Sequence, residues 1–409
     1  MIWARDGLED NQFDAARVRV GILTALPEEY LAMRSIMHAT VDSSATQDPH
    51  QYCSGWFRSK DPEKPHCAVI ALPAREGTRF AAAATTDMLR SFPDIRVVIM
   101  CGIGGGVPAP ANPRRDVRLG DIVVATEGII DYDHVRQVDG TTEHRRIVSG
   151  ISAALLRADR ALRIRELGGE EPWLAHIHEV AASNPRFQRP LVDSDPLHGL
   201  RAEQSGSSVT APRPGVWRGK IGSADTLLRD ARRRDRLAAK YGLLAFEMEG
   251  VGVATAVGAH DLHWFQVRGI CDYCDNETKN DLWHDYAALV AASYVKSLLA
   301  ECPPFGQAQP GGISPVGNIQ VVVDSLLALP QLSDDYHRRA VLSFLPGDIR
   351  DAVPSSVTAR IHVVQLVRTC ERTPGGRDAL LEALRLALGE SSPDFRRTEA
   401  VFLRHWSGL

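Results

Sequence analysis

The sequence lacks any run of the ~18–20 apolar residues that a membrane-spanning helix needs, so a membrane protein is not expected. It also lacks a strong excess of charge of one sign. The formal net charge is −4, so no global positive field draws in nucleic acid or an anionic membrane. Cysteine is sparse: seven residues are scattered from Cys53 to Cys370. An odd number without a dense framework points to a reducing compartment. Met1–Asp14 is polar and acidic, without the basic start and apolar stretch of a signal peptide, and a cytoplasmic protein is expected. A Walker-type phosphate loop and a Ser-centred nucleophile elbow are both missing.

What is present is an ordinary globular balance, with 44% hydrophobic and 24% charged residues in a chain of 409, long enough for two or three domains. Val18–Leu26 (VRVGILTAL), Cys67–Leu72 (CAVIAL) and Ile95–Ile103 (IRVVIMCGI) are apolar on both faces, as buried parallel strands are. Asp121–Ala125, Ile129–Asp131, Leu243–Met248 and Trp264–Cys271 read as further strands. Ala-rich Phe80–Phe92 and amphipathic Asp285–Leu299 read as helices. Strand and helix in alternation predict an α/β domain over 15–302, with a mixed, mostly parallel central sheet flanked by helices. Residues 136–216 mix charged helical pieces with Pro and Gly, and read as an insertion beside that sheet. Pro, Gly and Gln crowd 303–315, a linker. Beyond it, apolar residues recur at helical spacing through Ile319–Leu329, His337–Phe344, Ile361–Cys370 and Arg377–Leu388. That predicts an all-α bundle over 316–409.

Cys101–Val107 reads CGIGGGV directly after the strongest strand. A dinucleotide fingerprint needs glycine where Val107 stands and a helix opening at once, but Pro108 to Pro113 follow. The cluster is a strand end with bare backbone, suited to close approach of a ligand or needed only for a tight turn. Glu28 and Glu29, Glu247 and Glu249, and Asp272 each lie near the end of a strand-like run. An acid there is usually a helix cap or a solvated turn. In parallel α/β sheets, however, ligands bind beyond the carboxyl ends of strands, so acids and glycines would converge on one cleft. Two separated carboxyl groups suit glycosidic cleavage, one protonating the leaving group while the other activates water.

TALPEE (Thr24–Glu29), CGIGGGV (Cys101–Val107), RLGDIVVA (Arg118–Ala125), FEMEGVGVA (Phe246–Ala254) and RGICDYCD (Arg268–Asp275) follow in order. Together they resemble the nucleoside phosphorylase superfamily, nearest in pattern to its methylthioadenosine/S-adenosylhomocysteine nucleosidase branch. The resemblance implies hydrolysis of a purine nucleoside or nucleotide without a cofactor, in a homo-oligomer. It implies Glu29 as general base on water and Asp272 as the acid at the purine N7. Glu249 would bind the ribose hydroxyls, Met248 would pack on the sugar, and the backbone of Ile103, Gly104 and Gly105 would border sugar and base. Glu247 matches the acid before the Met-Glu pair, and Cys271 stands where many members have serine. Leu-Pro-Glu-Glu replaces the Gly-Asp-Pro-x-Arg start of the phosphorylase branches, which favours water over phosphate. Leu227 stands where a base-stacking aromatic is expected. The tail, with VVVDSLLALP, FLPGDIRDAVP and HVVQLVRTCERTPGG, resembles bacterial effector-associated domains, which implies a protein partner.

The remaining signals are weaker. Arg229–Arg236 (RDARRRDR) reads as a solvated helix face, with contact to substrate phosphates, from it or from Arg114, Arg115 and Arg118, as the sharper alternative. The C-x-x-C at Cys271 and Cys274 has no second pair, and His176 and His178 have no clear third ligand, so no metal is expected. Two rival readings stay open: a phosphate-dependent phosphorylase, and a catalytically silent nucleotide sensor.

Overall fold

The computed structural model describes residues 17–44, 48, 50–138, 141–148, 150–205, 213–277, 280–306, 315–333, 335–353, 359–373 and 375–406. The acidic start and most of the expected linker lie outside the described residues. The chain divides into two compact units between Phe305 and Gly306.

The first unit is built on one mixed sheet. Its strands are β1 (Val20–Leu23), β2 (His38–Ser44), β3 (Gln51–Phe57), β4 (His66–Ala71), β5 (Val97–Gly106), β6 (Ile122–Val124), β7 (Ile129–Val138), β8 (Thr141–Val148), β9 (Val216–Arg218), β10 (Lys220–Ser223), β11 (Leu243–Glu247) and β12 (His263–Asp272). The main path runs β2-β3-β4-β1-β5-β11-β10-β7-β8. β5 is the hub. It lies parallel to β1 and to β12, and at Gly105 and Gly106 it turns its edge to β11 in antiparallel pairing. Every residue of β5 is buried, which is why the strand is apolar on both faces. The glycines of the CGIGGGV segment are therefore not a turn. They continue the strand, because β11 supplies hydrogen-bond partners that no local pattern reveals.

Helices α1 (Pro27–Ile36), α2 (Thr78–Ser91), α3 (Ala153–Leu167), α4 (Pro172–Ser183), α5 (His198–Ser205), α6 (Ala231–Tyr241), α7 (Gly250–Ala259) and α8 (His284–Glu301) accompany the sheet. Proline opens α1 and α4 at the first turn, where its missing N–H costs nothing. α8 buries most of its length, including Leu289, Val290, Tyr294 and Leu298. Residues 136–216 begin inside the sheet: β7 and β8 form an antiparallel hairpin with Ile129 opposite Val148. After α3, α4 and α5, the chain returns as β9, parallel to β6. Trp173 of α4 rests on Tyr294 of α8, ring centres 5.3 Å apart. Arg218 bonds Asp159 at 3.0 Å and Glu166 at 2.9 Å, tying α3 to β9.

The second unit is helical: α9 (Pro315–Leu327), α10 (Pro330–Ser333), α11 (Asp335–Ser343), α12 (Gly347–Arg350), α13 (Ala359–Arg372), α14 (Gly376–Leu388) and α15 (Pro393–His405). Its core gathers Val322, Leu326, Leu366, Val367, Leu380, Leu384, Phe402 and Trp406, and shares no residue with the core of the first unit. Among the described residues, no helix is long and apolar enough to cross a membrane.

Candidate active site

Glu29 is the third residue of α1, and its side chain folds back on the strand–helix junction. Oε2 accepts from Ala25 N at 2.5 Å and Leu26 N at 3.1 Å. Oε1 accepts from Ile103 N on β5 at 2.8 Å. The carboxyl is thus held by the orphan N–H groups of its own helix start and by the neighbouring strand. Burial pushes its pKa up, against the opposing pull of Arg268 and of the three backbone N–H groups.

Arg268 is the residue that the motif reading passed over. It sits in the middle of β12, wholly buried. Its guanidinium bonds Glu247 Oε2, bonds Glu249 Oε2 at 3.2 Å, and lies 3.9 Å from Glu29 Oε1. It also donates to Ile103 O at 3.1 Å. Three carboxylates therefore share one buried guanidinium. Glu247 Oε2 further accepts from Glu249 N at 3.0 Å and Gly250 N at 2.8 Å, where the start of α7 favours negative charge. Glu249 accepts from Gly77 N at 3.0 Å. Burial, with Glu247 and Glu29 close by, pushes its pKa up to about 7 despite Arg268. The signal in the sequence was there: an arginine inside an otherwise apolar buried strand must find carboxylates.

Asp272 ends β12 and accepts from Cys274 N at 2.7 Å, closing a tight turn. Cys271 Sγ donates weakly to Gly104 O at 3.6 Å. Two glycines of β5 make room for this arrangement. A β-carbon on Gly102 would lie 2.4 Å from Glu29 Oε1 and 2.7 Å from Arg268 Nη1. One on Gly105 would lie 2.2 Å from Cys274 Sγ and 2.8 Å from Asp272 Oδ1. Gly102 and Gly105 are three residues apart, about 10 Å along a strand. Glu29 and Asp272 are thus seated at the two ends of the glycine segment.

Between them opens a cleft of about 360 Å³, within the ~300–1,000 Å³ range of small-molecule sites. Glu29, Ile103, Gly104, Gly105, Glu247, Met248, Glu249, Cys271 and Asp272 all border it. Phe246 and Tyr132, packed edge to face at 5.6 Å, give it an aromatic wall. Leu227 reaches the cleft half-exposed, and Arg229 and His284 stand at its edge. His284 Nδ1 is 3.1 Å from Glu28 Oε1.

The arginine run divides. Arg229 borders the cleft, Arg234 is buried and donates to the carbonyl of Tyr273, and Arg232, Arg233 and Arg236 are exposed. Arg118 pairs with Asp116 at 3.3 Å. His178 is exposed, whereas His176 is half-buried, and burial beside Lys296 lowers its pKa to about 4. Asp48, His50 and Asp87 place ligand atoms within 4.8 Å of one another. Asp48 already takes hydrogen bonds from Tyr52 at 2.7 Å and from Ser91.

A family model described as Phosphorylase superfamily matches residues 19–300. One described as Effector-associated domain 2 matches residues 323–402. A nucleotide-binding leucine-rich repeat (NLR)-like protein of Hyaloscypha variabilis is 31% identical over 305 residues, which are 70% of this chain and 29% of that protein. This chain thus spans less than a third of that relative's length. A 5'-methylthioadenosine/S-adenosylhomocysteine nucleosidase of Mycobacterium tuberculosis is 25% identical over 292 residues, 70% of this chain and 97% of that one. The structure of a futalosine hydrolase of Helicobacter pylori aligns with a TM-score of 0.48 and 15% identity, over 70% of this chain and 99% of that one. By its sequence motifs and by the family match over most of its length, the chain belongs to the phosphorylase superfamily and carries an effector-associated domain 2 in its C-terminal unit.

Proposed function

We propose that the first unit hydrolyses the N-glycosidic bond of a purine nucleoside or nucleotide and releases the free base. The observation that carries this reading is the charge imbalance beside the cleft: Glu29, Glu247 and Glu249 around Arg268, the one cation paired with them among the described residues. A region with more buried carboxylates than cations lacks positive charge. The oxocarbenium-like centre that forms as a glycosidic bond breaks supplies it, so the site binds the transition state more tightly than the ground state.

In this reading Glu29, its pKa raised by burial, takes a proton from the attacking water. Glu249 accepts the hydroxyls of the ribose, and Met248 packs on the sugar. Asp272, at the far end of the glycine segment, gives a proton to the departing base. Tyr132 and Phe246 supply the apolar wall for that base, since Leu227 offers no ring to stack on. Water is favoured over phosphate as nucleophile because Arg268 is committed to carboxylates. The nucleosidase relative, of which this chain covers 97%, agrees with this chemistry in its name. The second unit, which the effector-associated domain model matches over residues 323–402, would dock a protein partner in a signalling complex.

The test is a base-release assay by chromatography on adenosine, inosine, methylthioadenosine, S-adenosylhomocysteine, AMP and ATP, with and without phosphate. Free base without phosphate supports hydrolysis and names the substrate. Release only with phosphate makes the protein a phosphorylase. Binding without release favours a nucleotide sensor.

A further inference from the structure

The turn that carries Asp272 is gripped from outside the cleft, by residues of the 136–216 region. Tyr273 follows Asp272 and points away from it, buried to all but 3%. Its hydroxyl accepts from Leu119 N at 3.1 Å and from Arg201 Nη1 at 3.1 Å, and donates to Asp195 at 3.1 Å. Arg201, on α5, lies with its guanidinium carbon 5.6 Å from the centre of the Tyr273 ring. It is buried and bonds Asp195 at 2.6 Å and Asp116 at 2.7 and 3.0 Å. Asp116 in turn accepts from Ala109 N at 2.9 Å, in the segment that leaves the glycine strand. On the other side Arg234 of α6 holds the Tyr273 carbonyl. Tyr273 is thus fixed at both its backbone and its phenol, one residue from Asp272 and one from Cys274, whose N–H bonds Asp272.

We propose that Tyr273 is a positioning residue, through which Asp195 and Arg201 hold the Asp272 turn in its working geometry. The physical case is the density of buried, charge-assisted bonds on one phenol. A tyrosine needs one partner when buried, and this one has three, two of them from the segment between α4 and β9, whose described residues add no strand to the sheet. Such bonds are strong where water is excluded, and a displacement of about 1 Å at a catalytic group costs roughly 100-fold in rate. The α5 segment then has a role in the reaction without touching substrate. Anything that moves α5 changes how Asp272 meets the leaving group.

This inference rests on the hydrolase reading for its kinetic arm only. The experiment compares Tyr273→Phe and Asp195→Asn, both of which keep side-chain size, with the unaltered protein. Amide exchange by mass spectrometry is read over residues 271–275 and, as internal controls, over α2 and α7. Turnover is read on a purine nucleoside and on the riboside of 4-nitrophenol, whose phenolate leaves without a proton. The expected result is faster exchange confined to 271–275. Turnover of the purine nucleoside falls about 10- to 100-fold with KM nearly unchanged, and the nitrophenyl riboside keeps its rate. Unchanged exchange at 271–275, or equal losses on both substrates, overturns the proposal and leaves Tyr273 as an anchor for the insertion. If the unaltered protein releases no base at all, the hydrolase reading fails on its own, and the exchange comparison still decides the clamp.

Discussion

Replacing Arg268 by methionine removes the cation that, among the described residues, pairs with three buried carboxylates, while leaving a chain of similar volume. Removing one partner of a buried ion pair costs about 3–5 kcal/mol, because the other charge stays buried without compensation. That is a large share of the ~5–15 kcal/mol that holds a domain together. The cost depends on pH in a definite direction. Burial raises the pKa of both Glu29 and Glu249, so the folded protein binds protons there more readily than the unfolded chain. Their contribution is fully present below the unfolded carboxylate range, near 4.5, and is lost as pH rises through the folded value, about 7 for Glu249. Arg268 offsets that loss by lowering both. Arg268→Met should therefore be most destabilised above neutrality and recover towards about pH 5 as the carboxyls take up protons. Urea unfolding of full-length protein at several pH values, followed by the first unit's transition, measures this. A penalty under about 1 kcal/mol at pH 8, or one equally large at pH 5, refutes the reasoning.

Asp272→Asn should leave the fold intact and cut turnover by about 100-fold or more, the scale of general acid catalysis; an unchanged rate in steady-state assays removes Asp272 from that role. Gly102→Ala should abolish activity and destabilise by about 1–3 kcal/mol, since its β-carbon would sit 2.4 Å from Glu29 Oε1. Circular dichroism melts and turnover would show both effects, and wild-type values in either would contradict the packing around β5. Deleting 316–409 should leave a folded, active first unit, because the two cores share no residue. Aggregation or loss of native far-UV signal in the truncated protein would refute that division.

The apolar strands and the amphipathic helices were legible because their patterns are local. Val20–Leu23, the part of β5 up to Ile103 and α8 lie where continuous apolar runs or helical spacing put them. The convergence of Glu29, Glu247, Glu249 and Asp272 on one cleft was legible from their placement at strand ends. Three things were not. The hairpin of β7 and β8 has a polar, charged second strand, Thr141–Val148, whose pattern resembles a surface helix until its cross-strand partner is known. Arg268 hid inside an apolar strand because its three acidic partners come from 19 to 239 residues away: Glu249 and Glu247 at β11 and its end, and Glu29 on α1. The role of Tyr273 depends likewise on Asp195 and Arg201, more than 70 residues earlier.

The central claim, that water and not phosphate cleaves the bond, is tested most directly by turnover in ¹⁸O-labelled water. The expected result is free base together with a sugar carrying one ¹⁸O at C1′, formed at the same rate with and without phosphate. A sugar 1-phosphate without label, or no base release from any purine nucleoside or nucleotide, would contradict the account.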